Sequence, residues 1–341
     1  MFLSLGEIML RFCPGDRPLR AATQFTFSEG GGEYNVARAL SRCFGHKSGV
    51  VTSLVDNELG HLVRHLVEGS GVDTSNILWQ DFDGIGKEVR NPLYFAERGF
   101  GYRSPKAVMD RGHSAPSQMS VKDVDWKMLF EGGEVKWFHT GGIFAGLSES
   151  SAEVAEAAMS AARDAGVHVS YDPNFRSSLW HSRGGSSSAA ELNRKLAIYA
   201  DTLFGVAPLL HPSPPSSTPD GISALMHETT LAFPQLKAIV VGRRTVHSAS
   251  SHDYAASSWL NGEIFHAEGY QRIDVLDRIG SGDAFAAGYI SSTIEGLDPI
   301  KSLQMGCAAA ALTMSTPGDA VLVSRQDVEQ LAQPNQLGEV R

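Results

Sequence analysis

The residues with the most chemical content are Gly280-Ser281-Gly282-Asp283, inside the stretch RIDVLDRIGSGDAFAAGYI at positions 272–290. Val275 and Leu276 form an apolar approach, the two glycines make a tight turn, and Asp283 opens a helix. Glycines at such a turn let backbone N–H groups point outward, and a helix start adds partial positive charge. Together they cradle an anion, or negative charge that develops during a reaction. Asp283 can cap its helix; it can also take a proton from an attacking hydroxyl. Phosphoryl transfer needs that combination of positioned base and anion cradle. A dinucleotide fingerprint is excluded, because the last position of Gly-x-Gly-x-x-Gly is Phe285 and the turn lies far from any opening βαβ unit. A Walker A loop is absent as well.

The elements that must position this turn follow an alternating order. Short apolar runs predict strands over Phe2–Leu5, Gly49–Leu54, Lys136–Thr140, Val167–Tyr171, Thr202–Val206 and Ala238–Val241. Helical spacing falls between them, near Tyr34–Cys43, Leu59–Gly71, Ser150–Ala165, Ala189–Tyr199 and Ile222–Ala232. Such alternation predicts parallel strands joined by crossover helices, an α/β fold. Near the end, Tyr254–Trp259 and Glu263–Ala267 flank Asn261-Gly262, a hairpin turn. Helices are predicted near Asp283–Glu295, Pro299–Met314 and Arg325–Ala332. Two segments, about 12–32 and 86–112, break the alternation and read as extended pieces of a small lid. The Pro/Ser-rich run His211–Gly221 reads as a surface connection, and residues 1–341 read as one domain.

A formal charge of −9 argues against a broad nucleic-acid or anionic-membrane surface. Glu7 and Arg11 interrupt the apolar N-terminus, so neither a signal peptide nor a membrane span is expected there. Cys13, Cys43 and Cys307 show no Cys-x-x-Cys spacing, which predicts free thiols and a reducing, cytoplasmic setting.

Several separated stretches together resemble the PfkB, or ribokinase-like, family of carbohydrate kinases. GGGEYNVARALSRCFG at 30–45 is similar to its first signature and VLDRIGSGDAFAAG to its second. YDPNFRSSLW at 171–180, RTVHSASSHDY at 244–254, YFAERGFGYRSPKAVMDRGHSA at 94–115 and TPGD at 316–319 resemble its 2-keto-3-deoxygluconate kinase branch. The resemblance implies a three-layer αβα sandwich with a small β-sheet lid that closes over sugar and joins subunits into a homo-oligomer. It implies ATP and Mg²⁺, with Asp283 as general base and Gly280, Ser281 and Gly282 as the anion hole.

The same resemblance puts substrate contacts at Gly31, Tyr94, Arg111 and Arg176, and nucleotide contacts at Gly242, Arg243, Gly280 and Gly282. A sugar acid carries a carboxylate, which an arginine fork binds through two N–H bonds. Gly31 serves either a turn or the substrate, and Tyr94 either packs in the lid or meets sugar. Asn35 is placed to cap its helix or to reach sugar hydroxyls. Asp277 is placed to orient substrate or cation, or to brace the loop. The chain departs from the family in three places. No carboxylate lies between Asp201 and Asp220, where the family carries acidic residues near the metal, so the metal ligands are left unassigned. Met109 replaces a tyrosine common in the family. VVGRRTVHS at 240–248 lacks the commoner glycine-rich form on the adenine side. The expected reaction is ATP-dependent phosphorylation of 2-keto-3-deoxygluconate to its 6-phosphate. The alternatives are a kinase for a neutral sugar such as fructose, or a non-catalytic sugar-acid-binding relative.

Overall fold

The computed structural model describes residues 1–206, 209–210 and 218–333; the 211–217 part of the Pro/Ser-rich connection lies outside them. Its centre is a nine-stranded sheet ordered β13-β12-β11-β10-β9-β8-β1-β4-β5. The members are β1 (Phe2–Leu5), β4 (Ser48–Val55), β5 (Asp73–Gln80), β8 (Trp137–Gly141), β9 (His168–Asp172), β10 (Thr202–Phe204), β11 (Ala238–Ser248), β12 (Ser251–Leu260) and β13 (Glu263–Asp274). From β5 across to β11 the neighbours run parallel; β12 and β13 add an antiparallel meander turning at Asn261-Gly262.

Successive strand residues point to opposite faces, and both faces are covered. Phe2 packs on one side with Val50, Val240 and helix residues such as Tyr34 and Ala284. Leu3 and Leu5 pack on the other, with Val51, Ile239 and helix residues such as Val154 and Leu196. Burial on both faces is why these strands read as continuous apolar runs. It makes the three layers of the sandwich.

β5 escaped the sequence reading for the complementary reason. It is an edge strand, DTSNILWQ, in which Ile77 is the buried residue, so it carries little hydrophobic signal. β11 also runs past Val241 to Ser248, because β12 pairs with it along its length.

A second sheet, ordered β3-β2-β6-β7, stands over the first: β2 (Met9–Cys13), β3 (Thr26–Gly30), β6 (Leu93–Glu97) and β7 (Lys106–Asp110). Three of its strands fall within the segments read as a lid; β2 begins earlier, at Met9, directly after β1. Arg11 pairs in register with Tyr94, and Tyr94 with Met109. One residue along, Phe27, Phe12, Phe95 and Val108 form a row on the other face. No helix among the described residues is long and apolar enough to cross a membrane, and all three cysteines are free.

Candidate active site

A cleft of about 590 Å³ opens where the carboxyl ends of β1, β8, β9 and β11 face the small sheet, the usual place for a ligand in an open α/β sheet. Gly280 begins the turn that leads into it. Its φ of 80° is left-handed, and a Cβ there would collide with the Asp319 carbonyl; a side chain is excluded on both counts. The helix Ser281–Ile294 follows, with the Ser281 hydroxyl tied to the Arg278 carbonyl at 3.0 Å. The first helical N–H groups have no partner within the helix. Gly282 lines the cleft, and nothing stands within 4 Å of a Cβ built on it.

Asp283 sits in this first turn. Asn35 Nδ2 donates to its Oδ2 at 2.7 Å. Burial pushes the Asp283 carboxyl up to about 7; the Asn35 bond and Arg176 oppose the rise, while Asp172 and Asp319 add to it. Asn35 belongs to the helix Gly32–Arg42, and its Oδ1 accepts from Gly31 N at 3.4 Å. One side chain thus closes its own helix start and holds the carboxylate of another. Gly31 is extended, with φ of 166°; it must be glycine because a Cβ would run into the Glu7 carbonyl.

Arg111 and Arg176 reach the same cleft. Arg111 stands 3.5 Å from Glu7 Oε2 and lies against the sulfurs of Met9 and Met109. Met109 thus stands beside an arginine that lines the cleft. Arg176 approaches Asp172, whose carboxyl burial pushes up to about 6, held down by the Asn174 amide and by Arg176.

Tyr94 lines the cleft, but its hydroxyl donates to Asp319, and Arg11 bridges Asp319 and Asp277. Asp277 also accepts from Ile279 N at 3.2 Å, and it does not line this cleft. Its observed contacts brace the turn. Gly242 lines the cleft and Arg243 does not; Arg244 does. Alternation along β11 puts positions 242 and 244 on one face and 243 on the other.

Several lining groups were not singled out from the sequence: Glu7, Glu33, Asp172, Arg244, Arg278 and Asp319. All but Glu7 sit inside the family-like motifs, but each motif mixes packing residues with lining ones and does not tell them apart. Glu33 is the most unusual. Its carboxyl is wedged where a Cβ on Gly6 or Gly141 would strike it, and its Oε2 has no hydrogen-bond partner. Burial pushes it up to about 8; its own backbone N–H lowers it, and Asp283, Asp172 and Glu7 raise it.

Among the described residues no group of three or more His, Cys, Asp or Glu side chains stands ready to cage a metal. The open turn, the helix start and the arginines suit a polyanion; the donor set does not supply a dedicated Mg²⁺ cage.

A family model described as pfkB family carbohydrate kinase matches residues 3–325. The chain is 26% identical over 343 residues to the 2-dehydro-3-deoxygalactonokinase of Haloferax volcanii, with 98% of each chain covered. Its structure is similar to that of 2-dehydro-3-deoxygluconokinase from Thermotoga maritima, with a TM-score of 0.88, 29% identity, and 97% and 98% of the two chains covered. It shares its fold, at 20% identity and a TM-score of 0.77, with an E. coli protein described as a ribokinase II and solved with ATP and Mg²⁺, which covers 97% of this chain and 98% of its own.

Proposed function

The chain belongs to the pfkB family of carbohydrate kinases, and from that premise we propose that it transfers the γ-phosphoryl group of ATP to a hydroxyl of a small sugar acid. 2-Keto-3-deoxygluconate, yielding its 6-phosphate, is the substrate assigned, with the galacto epimer the nearest competitor. The observation that carries this reading is one cleft holding Asp283, the open Gly280–Gly282 turn, and both Arg111 and Arg176.

Asp283 takes the proton of the attacking hydroxyl as its oxygen bonds to phosphorus and the bond to the ADP oxygen breaks. A carboxyl raised to about 7 is a better base near neutral pH than an ordinary one, yet half of it stays ionised there. The free amides of the first helical turn stabilise charge on the transferring group. Arg111 and Arg176 orient the substrate through its carboxylate, a pair that a neutral sugar would not use. A divalent ion bound with the nucleotide would lend positive charge to its phosphates.

The outer row of the small sheet, Phe27, Phe12, Phe95 and Val108, supports a homo-oligomer joined through the lid, since Phe27 is 52% and Val108 55% exposed.

The test is ADP release from purified protein with 2-keto-3-deoxygluconate, its galacto epimer and fructose. Turnover on the sugar acids is expected, with Asp283→Asn lowering kcat by about 10²–10⁴-fold. Arg176→Ala is expected to raise KM for the acid by roughly 10–100-fold. Folded protein that releases no ADP with any sugar acid, or prefers fructose irrespective of Arg176, would defeat the assignment.

A further inference from the structure

Tyr254 stands in the middle of β12, opposite Arg244 of β11 and Tyr270 of β13. The β12–β13 register slips on both sides of it. Ala267 to Tyr270 is three steps against two from Ala256 to Tyr254, and Tyr270 to Ile273 is three against two from Tyr254 to His252. β13 thus carries an extra residue on each side, and each bulge holds a left-handed residue. Gly269 has φ of 69°, and a Cβ there would strike the Tyr254 carbonyl. Arg272 has φ of 55°, a costly conformation for a residue with a side chain; its N–H donates to Asp253 Oδ1 at 2.8 Å. Bulges raise the local twist and re-aim side chains, and they recur beside active sites.

The side chain held there reaches the cleft. Tyr254 is 5% exposed and is one of the lining residues. Its ring lies against Phe285, with centroids 5.8 Å apart, and Phe285 is two residues beyond Asp283 on the same helix. Phe285 is itself wedged where a Cβ on Gly306 would strike its ring. The Tyr254 hydroxyl lies over Gly242, a second lining residue, where a Cβ would collide with it. It meets no hydrogen-bond partner among the described residues. Burial chiefly raises its pKa well above the ordinary value; Cys307, Asp283 and Asp172 add to the rise and Arg244 opposes it. The phenol therefore keeps its proton, and it holds a donor for which the protein supplies no acceptor. A donor left unpaired in a buried place is costly.

Such a donor calls for an acceptor that arrives with a ligand. Arg111 and Arg176 are assigned to the sugar-acid carboxylate. The phosphorus must come within bonding distance of the hydroxyl that Asp283 deprotonates, so the anionic oxygens left beside that base are those of the transferring group. We propose that Tyr254 is a further catalytic residue, its hydroxyl donating a hydrogen bond to a non-bridging oxygen of the phosphoryl group as it passes from ADP to the sugar. The inference rests on the kinase reading and adds a side-chain donor to the backbone amides of the helix start. The sugar acid and the inner phosphates are other sources of anionic oxygen, and the test separates all three.

The experiment compares wild type with Tyr254→Phe, which removes the hydroxyl and keeps the ring on Phe285. Thermal melting of the two should coincide, because the hydroxyl bonds nothing in the free protein. ADP release with Mg²⁺ and 2-keto-3-deoxygluconate should show kcat lowered by roughly 10–100-fold, with the sugar-acid KM within about threefold of wild type. Calorimetry with Mg²⁺ should find a non-hydrolysable ATP analogue bound about 3–10-fold more weakly by the variant, and ADP bound equally by both. A kcat within about threefold of wild type overturns the proposal and leaves the kinase reading standing. So does a variant that binds the sugar acid poorly and the analogue normally, which gives the hydroxyl to the substrate. Equal losses for ADP and the analogue place it on the inner phosphates and overturn the proposal as well. A wild type that releases no ADP with any sugar acid defeats the substrate assignment alone, and the comparison of analogue with ADP still decides the contact. No nucleotide binding by wild type removes both readings.

Discussion

Asn35 and Asp283 lie 248 residues apart in the chain, yet the amide of the first donates to the carboxylate of the second at 2.7 Å. The bond joins the first turns of two helices, Gly32–Arg42 and Ser281–Ile294, which meet across the cleft floor. A carboxylate that is to accept a proton must be held in place and kept partly ionised, and this bond does both. Its consequence is measurable.

Asn35→Ala removes the donor that opposes the rise of the Asp283 carboxyl. The acidic limb of the pH–rate profile should move up by about one pH unit. Activity should fall most at pH 6–7 and recover toward pH 9, because the base works only when ionised. A uniform loss across pH would mean that Asn35 serves the substrate and not the base.

Glu33 gives a stability test whose sign is set by linkage. Its carboxyl is raised from 4.5 to about 8 in the fold, so between those values the folded chain holds a proton that the unfolded chain releases. Stability contributed by the neutral form is present below about pH 4.5 and lost as pH rises through about 8. Glu33→Gln removes that loss. Chemical denaturation should find the variant more stable than wild type at pH 8.5, by on the order of a few kcal/mol, with a much smaller gain at pH 5. Equal stability at pH 8.5 would show that Glu33 ionises freely in the fold.

Arg11 lies in the lid strand β2 and is fully buried between Asp277 and Asp319 of the main body, with Tyr94 bonded to Asp319. Arg11→Met would leave two carboxylates buried without their cation, which costs about 3–5 kcal/mol. Urea unfolding should report that loss. Tyr94→Phe, which removes one hydrogen bond to the same carboxylate, should cost less, about 1–3 kcal/mol. An Arg11→Met protein as stable as wild type would contradict the burial of this cluster.

The outer row of the lid predicts assembly. Light scattering should find a homo-oligomer in the wild type, and Phe27→Asp combined with Val108→Asp should release monomers that still melt cooperatively. A monomeric wild type would remove the lid interface.

What the sequence determined by itself was local. The glycine turn and the helix after it were legible because a left-handed φ at Gly280 and a helix start at Ser281 are properties of consecutive residues. The parallel strands were legible because burial on both faces writes unbroken apolar runs, and β5 was not, because an edge strand writes none. The tertiary structure alone decided which charged residues meet. Asn35 stood open between capping and sugar contact; helix packing gave it Asp283 as partner. Asp277 stood open between ligand and brace; it was drawn to Arg11 from a strand 266 residues away. Arg243 and Arg244 are indistinguishable by composition, and the pleat of β11 turned Arg244 toward the cleft. Backbone conformation depends on neighbours in sequence. The charge and partners of a side chain depend on what lies around it in space, through burial and Coulomb interactions that spacing along the chain does not encode.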